Sequence, residues 1–201
     1  YEHCARFHNQ PLPKIDWKGL KANEPPGRIR FLSTVEYGAL IAAAHEGLRP
    51  IIICAVSTGL RKDNILSLDW QQVNLAERVI QVKRTKAGRA HMVKIGAALM
   101  GALSRTPVAQ RRGRVFDRTN LKRRWLAALE GAGIEDFRFH DLRHTFASWA
   151  RIDGADLADL KEALDHSSIG STLRYAHVQP ETHRTAFDRV SDRLMGTISD
   201  T

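Results

Sequence analysis

Hydrophobic and polar positions along this chain change period twice, dividing it into a helical stretch, a short extended stretch and a longer helical stretch. Ser33-Thr34-Val35-Glu36 matches a capping box, so a helix is predicted from residue 33 to about residue 45. A second is predicted over 50–57, with Pro50 in its first turn. Thr58-Gly59 breaks the pattern, and 64–68 reads as another short helix. Residues 79–82 and 91–95 are rich in β-branched side chains and flank Lys86-Ala87-Gly88-Arg89, which predicts a hairpin, with 73–75 as a third, short strand. Beyond Gly96 the helical pattern returns. Leu121, Trp125 and Leu129 recur every fourth residue over 121–130, and Gly131 and Gly133 end that helix. Further helices are predicted over 140–151, 157–164, 169–177 and 181–194. The fold class expected is mainly α with a small antiparallel β-sheet (α+β). No internal repeat or low-complexity tract interrupts it. Residues 1–30, broken by Pro11, Pro13, Pro25, Pro26 and Gly27, read as a linker or the end of an earlier domain. Residues 31–178 form the body, and 179–201 a tail helix.

Composition narrows the partners. The chain has 201 residues, and its 43% hydrophobic content is ordinary for a protein with a buried core. Lys and Arg number 31 against 22 Asp and Glu, a formal charge of +9 that suits a polyanion, nucleic acid first. A solvated basic surface would look the same by this measure alone. Cys4 and Cys54 form no C-x-x-C pair, which fits a reducing compartment, with Cys54 as a small buried apolar residue. The longest apolar run, 51–56, is too short to span a bilayer, and no charged-then-apolar leader opens the chain. A cytoplasmic, DNA-associated location and no membrane are expected. The chain opens at Tyr1 rather than Met, which suggests that a preceding part is absent.

Three segments carry candidate chemistry. In His140-Asp141-Leu142-Arg143-His144, His140 and Arg143 are three residues apart on one helix face, an imidazole beside a guanidinium suited to a phosphate. These residues also fit a solvated polar face. His140 and His144 further stand at the H-E-x-x-H zinc spacing, but Asp141 is short for the base of such a site and no third ligand is marked. His166 precedes a helix whose N-cap would be Ser167 or Ser168, and Tyr175 falls about two turns into it, near its polar side. A phenol with an ordinary pKa of about 10 is a poor nucleophile unaided, so Tyr175 alone reads as packing. Arg61 follows the turn at Gly59 and reads equally as a surface cation.

Taken together, Thr58-Gly59-Leu60-Arg61, His140-x-x-Arg143 and Leu164-x-His166 followed by Tyr175 resemble the catalytic domain of tyrosine recombinases, the phage integrase and Xer-type family. The resemblance runs from about residue 30 to about residue 178 and implies the fold of DNA breaking-rejoining enzymes. It implies a site-specific recombinase that cuts and rejoins DNA through a 3′-phosphotyrosine, as in prophage integration, with Tyr175 the nucleophile. Arg61 and Arg143 would hold the nonbridging oxygens, His140 would accept or help manage the tyrosine proton, and His166 would donate to the phosphate. Lys86, in the hairpin, would be the general acid. One phosphoester replaces another, so no ATP, cofactor or metal is expected. Lys83, Arg84, Arg89, Arg111, Arg112, Arg114 and Lys122 to Arg124 become candidate contacts to the backbone of double-stranded DNA. A homo-oligomer, a tetramer on DNA, is implied, with Phe187, Val190 and Leu194 of the tail packing on a neighbour or on their own domain. Residues 1–30 then read as a linker or remnant of a missing N-terminal DNA-binding domain, without which DNA affinity is expected to be weak. Two positions depart from the family pattern, Asn64 where Glu is frequent and Asp165 where Gly is usual. They keep open a catalytically silent DNA-binding regulator on the same fold, while the spacing of His140 and His144 leaves a zinc hydrolase as a further alternative.

Overall fold

The computed structural model describes residues 29–82 and 91–178. The hairpin tip with Lys83, Arg84, Lys86 and Arg89, the first 28 residues and the tail helix expected over 181–194 lie outside the described residues. Helix α1 spans Thr34–Ala43, α2 Arg49–Thr58 and α3 Lys62–Ser67. Strands β1 (Val73–Asn74), β2 (Val79–Val82) and β3 (His91–Lys94) follow, then α4 (Ala97–Ser104), α5 (Leu121–Gly131), α6 (Asp141–Ile152), α7 (Leu157–Ala163) and α8 (Gly170–Leu173). The three strands form one antiparallel sheet in the order β1-β2-β3, pairing Val73 with Ile80 and Val82 with His91. The mainly helical α+β class expected from the sequence is the class observed.

Local chemistry explains most boundaries. Ser33 caps α1 with both halves of the capping box, the Glu36 amide donating to Ser33 Oγ and the Ser33 amide to the Glu36 carboxylate. Helix α2 is apolar on nearly every side, as a central helix must be, and packs against α6, α4 and α3. Ile51, Ile52 and Cys54 are fully buried there, and burial pushes the Cys54 thiol up to about 12, an inert packing group. Inward strand positions Ile80 and Val93 join the same core. Ahead of α1 the chain is pinned to α6, the Leu32 amide donating to Thr145 Oγ1 at 3.1 Å and Trp149 Nε1 to the Leu32 carbonyl at 2.9 Å.

At Gly59 the backbone must be glycine. Its φ is +62°, and a Cβ would sit 2.4 Å from Phe146 Cδ1 and 2.8 Å from Leu164 Cδ2. The turn it makes brings α2, α6 and the end of α7 into contact. Around that contact lies a second apolar cluster of Ala147, Leu160, Leu164 and Tyr175.

The last helix among the described residues differs from expectation. It covers only Gly170–Leu173, is entered at Ile169 rather than capped by Ser167 or Ser168, and gives way to turns. Gly170, Ser171 and Thr172 are weak helix formers without a side-chain cap, so the helix does not propagate. Tyr175 therefore sits beyond the helix end. Among the described residues no helix is long and apolar enough to cross a membrane.

Candidate active site

Arg143 assembles the site. It lies in the first turn of α6, is only 5% exposed, and donates from Nη1 to the Gly59 carbonyl and from Nη2 to the Leu164 carbonyl, each at 2.7 Å. The first carbonyl belongs to the turn before Arg61, and the second to the turn before His166. One guanidinium thus ties three segments that are distant in sequence. Burial, with the nearby Arg61 charge, lowers Arg143 to about 10, which still leaves it cationic at neutral pH.

The other candidate residues surround this tie. Arg61 is the exposed N-cap of α3, and its Nη1 lies 3.9 Å from Asp165 Oδ2. His140 is the exposed N-cap of α6, its ring edge-on to His144 with centroids 5.3 Å apart. Partial desolvation and the Arg143 charge hold its pKa below the ordinary value. His166 is half-buried with Nδ1 2.8 Å from Thr172 Oγ1, and burial followed by the Arg143 and Arg61 charges lowers it to about 4. At neutral pH that imidazole is uncharged.

Tyr175 is where the arrangement departs most from expectation. Instead of standing on a polar helix side it is 1% exposed, with its hydroxyl 2.6 Å from Nδ1 of His144. Burial raises the phenol above its usual value, and burial with the His140 charge lowers His144 to about 4. Both partners are therefore neutral at pH 7. Either the hydroxyl donates to Nδ1 of an Nε2–H imidazole or Nδ1–H donates to the hydroxyl oxygen, according to the tautomer.

The structure places Arg61, His140, Arg143, His166 and Tyr175 near one another, and Lys86 lies outside the described residues. Sequence reasoning missed His144, weighed only as a zinc ligand, and Thr172 and Asp165 as partners of His166 and Arg61. The His144–Tyr175 pair spans 31 residues, a separation on which helix periodicity is silent. Among the described residues no three His, Cys, Asp or Glu side chains gather as metal ligands.

Of the backbone candidates, Arg112, Arg114, Lys122 and Arg123 are exposed. Arg111 is engaged internally, donating from Nε to the Thr106 carbonyl at 3.0 Å and lying over the Trp70 ring. Arg114 donates to the Leu66 carbonyl, and Arg124 pairs with Asp117 at 2.8 Å. Lys122 instead joins Lys62, Arg118 and Arg123 along an open groove between α3 and α5.

Comparison with known proteins places these features in a family. Residues 30–182 match the model of the phage integrase family. The integrase of Salmonella phage P22 is 34% identical over 214 residues, a match covering 90% of this chain and 54% of that protein. Tyrosine recombinase XerD of Ralstonia nicotianae is 31% identical, covering 82% of this chain and 61% of its own length. The chain thus spans little more than half the length of these curated relatives. The catalytic domain of bacteriophage HP1 integrase superposes with a TM-score of 0.65 at 30% identity, covering 77% of this chain and 91% of that domain. With its matching segment reaching from the pinned start of the body through the turn that holds Tyr175, this chain belongs to the phage integrase family.

Proposed function

We propose that this chain is the catalytic part of a site-specific DNA recombinase that cleaves and rejoins strands through a 3′-phosphotyrosine at Tyr175. The observation that carries the reading is the Arg143 tie, which holds the turn before Arg61 and the turn before His166 against the first turn of α6, beside His140 and Tyr175. Its relatives bear the names integrase and tyrosine recombinase.

In this reading a DNA phosphate enters against Arg61, whose side chain is open to solvent. Arg143 keeps two donors on the backbone carbonyls and turns its remaining N–H groups to a nonbridging oxygen. Thr172 Oγ1 donates to His166 Nδ1, which fixes the Nε2–H tautomer as a donor to the phosphate. Tyr175 leaves His144, its oxygen attacks phosphorus, and the bond to the 5′-oxygen breaks. His140 accepts or helps manage the phenol proton, while Lys86 protonates the departing 5′-oxygen to give the 5′-hydroxyl. Reversal with another 5′-hydroxyl rejoins the strand. The phosphoester count is unchanged, so the step balances without ATP. Assembly as a tetramer on double-stranded DNA, in the cytoplasm, belongs to the same reading.

The burial of Tyr175 favours one second reading, a DNA-binding regulator that has lost cleavage. A nicked duplex whose leaving fragment diffuses away separates the two. The recombinase reading predicts a covalent protein–DNA band on a denaturing gel that disappears in Tyr175→Phe. Salt-sensitive DNA binding with no band would favour the regulator, and a band that survives Tyr175→Phe would overturn the assignment of the nucleophile.

A further inference from the structure

Asp165 closes the C-terminal end of α7 with φ of +48°, in the left-handed region where side chains are strained. Its amide donates to the Glu162 carbonyl at 2.9 Å and the His166 amide to the Lys161 carbonyl at 3.0 Å. That backbone closure requires the left-handed turn but not a carboxylate. Glycine would serve it with less strain.

The side chain is turned toward the site. Its Oδ2 is buried, accepts no hydrogen bond, and lies 3.9 Å from Arg61 Nη1. The same negative charge acts on Arg143 and on His166, offsetting a small part of the larger lowering that burial and neighbouring cations impose on each. A buried carboxylate oxygen without a donor is unfavourable unless cations compensate it. Here two cations act on it, Arg61 from the start of α3 and Arg143 from α6, beside the uncharged imidazole of His166. The arrangement is an anion site that already holds an anion belonging to the protein.

We infer that Asp165 occupies, in the DNA-free protein, the place of a phosphate oxygen opposite Arg61, so that an incoming DNA phosphate must displace or outcompete its carboxylate. Asp165 is then a positioning residue that weakens phosphate binding and holds Arg61 in its resting orientation. The inference rests on the proposal that this site receives a DNA phosphate.

The test compares Asp165→Asn, which keeps shape and tolerance of the left-handed turn, with Asp165→Gly, which also relieves the backbone. Binding to a fluorescein-labelled random-sequence 20-base-pair duplex is measured across a salt series. Both variants should bind about threefold to fivefold more tightly than the parent at low salt, the range expected for removing one partly exposed ion pair. The slope of log K against log salt should steepen by up to about 0.9, one phosphate's worth. In an Arg61→Ala background most of that gain should vanish.

A tighter Asp165→Gly with an unchanged Asp165→Asn would mean that Asp165 acts only through the backbone, and the inference would fall. A gain undiminished by Arg61→Ala would overturn it in favour of a general charge effect. If no form of the protein binds duplex DNA, the proposed function fails instead, and phenylglyoxal still reads Asp165. Arg61 in Asp165→Asn should then be modified about threefold faster than in the parent, by mass spectrometry of the adduct. An equal rate would overturn the inference independently of DNA.

Discussion

At the scale of single residues, the contact between Tyr175 and His144 has consequences for both stability and chemistry. A buried hydroxyl paired to a buried imidazole leaves that imidazole unsatisfied when it is removed. Tyr175→Phe should therefore destabilise the protein by about 1–2 kcal/mol although the ring packing is kept. Urea denaturation checks this, and an unchanged midpoint would place the hydroxyl in solvent. His144 and His166 add a pH dependence, since each has a folded pKa of about 4 against an ordinary 6.5. Below about 6.5 the unfolded chain takes up protons that the folded protein resists until about 4. Stability should thus be level above pH 6.5, fall between about 6.5 and 4, and level again in these two groups below that. Replacing His144 with Asn should flatten part of the slope in denaturation midpoints measured from pH 7 to 4. An identical slope in the variant would show that His144 titrates normally.

At the scale of elements, the turn between α2 and α3 is the joint on which the site depends. Gly59→Ala must strain a left-handed φ and drive a methyl into Phe146 and Leu164. A loss of about 2–4 kcal/mol is expected, with Arg143 losing the geometry of its bond to the Gly59 carbonyl. A loss below about 1 kcal/mol by chemical denaturation would mean the turn can relax. This joint was legible in the sequence, because Thr58-Gly59 interrupts a strongly apolar helix. So were the capping box at Ser33 and the β-branched strands, where local chemistry and periodicity agree. The short α8 was not legible. Its apolar spacing at Ile169 and Leu173 suits a longer helix, yet both side chains are largely exposed and no cap starts it. Without burial of that face, weak propensity decides the length. The seat of Tyr175 was hidden for a related reason. It depends on α6, α7 and Gly59 meeting in space, which no local window of sequence records.

At the scale of the whole molecule the chain carries a formal charge of +9, and among the described residues part of that excess lines one groove. Arg111, Arg114 and Arg124 are held by internal partners, whereas Lys62, Arg118, Lys122 and Arg123 face one groove near the exposed Arg61. Neutralising Lys122 or Arg123 should weaken duplex binding about evenly across sequences and reduce the salt slope by about 1 each. Salt-series titration of each variant checks this, and an unchanged slope would place that residue outside the DNA contact. On the proposed function, the resting molecule would combine a basic groove beside Arg61, a phosphate position facing Arg61 and a nucleophile withheld in the core. On that reading, such a protein should cleave only after Tyr175 is released. The most direct measurement is peptide mass spectrometry of protein trapped on a nicked duplex under denaturing conditions. The account predicts one modified peptide, with Tyr175 carrying the 3′-phosphate of the retained DNA strand. A trapped complex linked through any other residue, or binding to DNA with no covalent product at all, would contradict it.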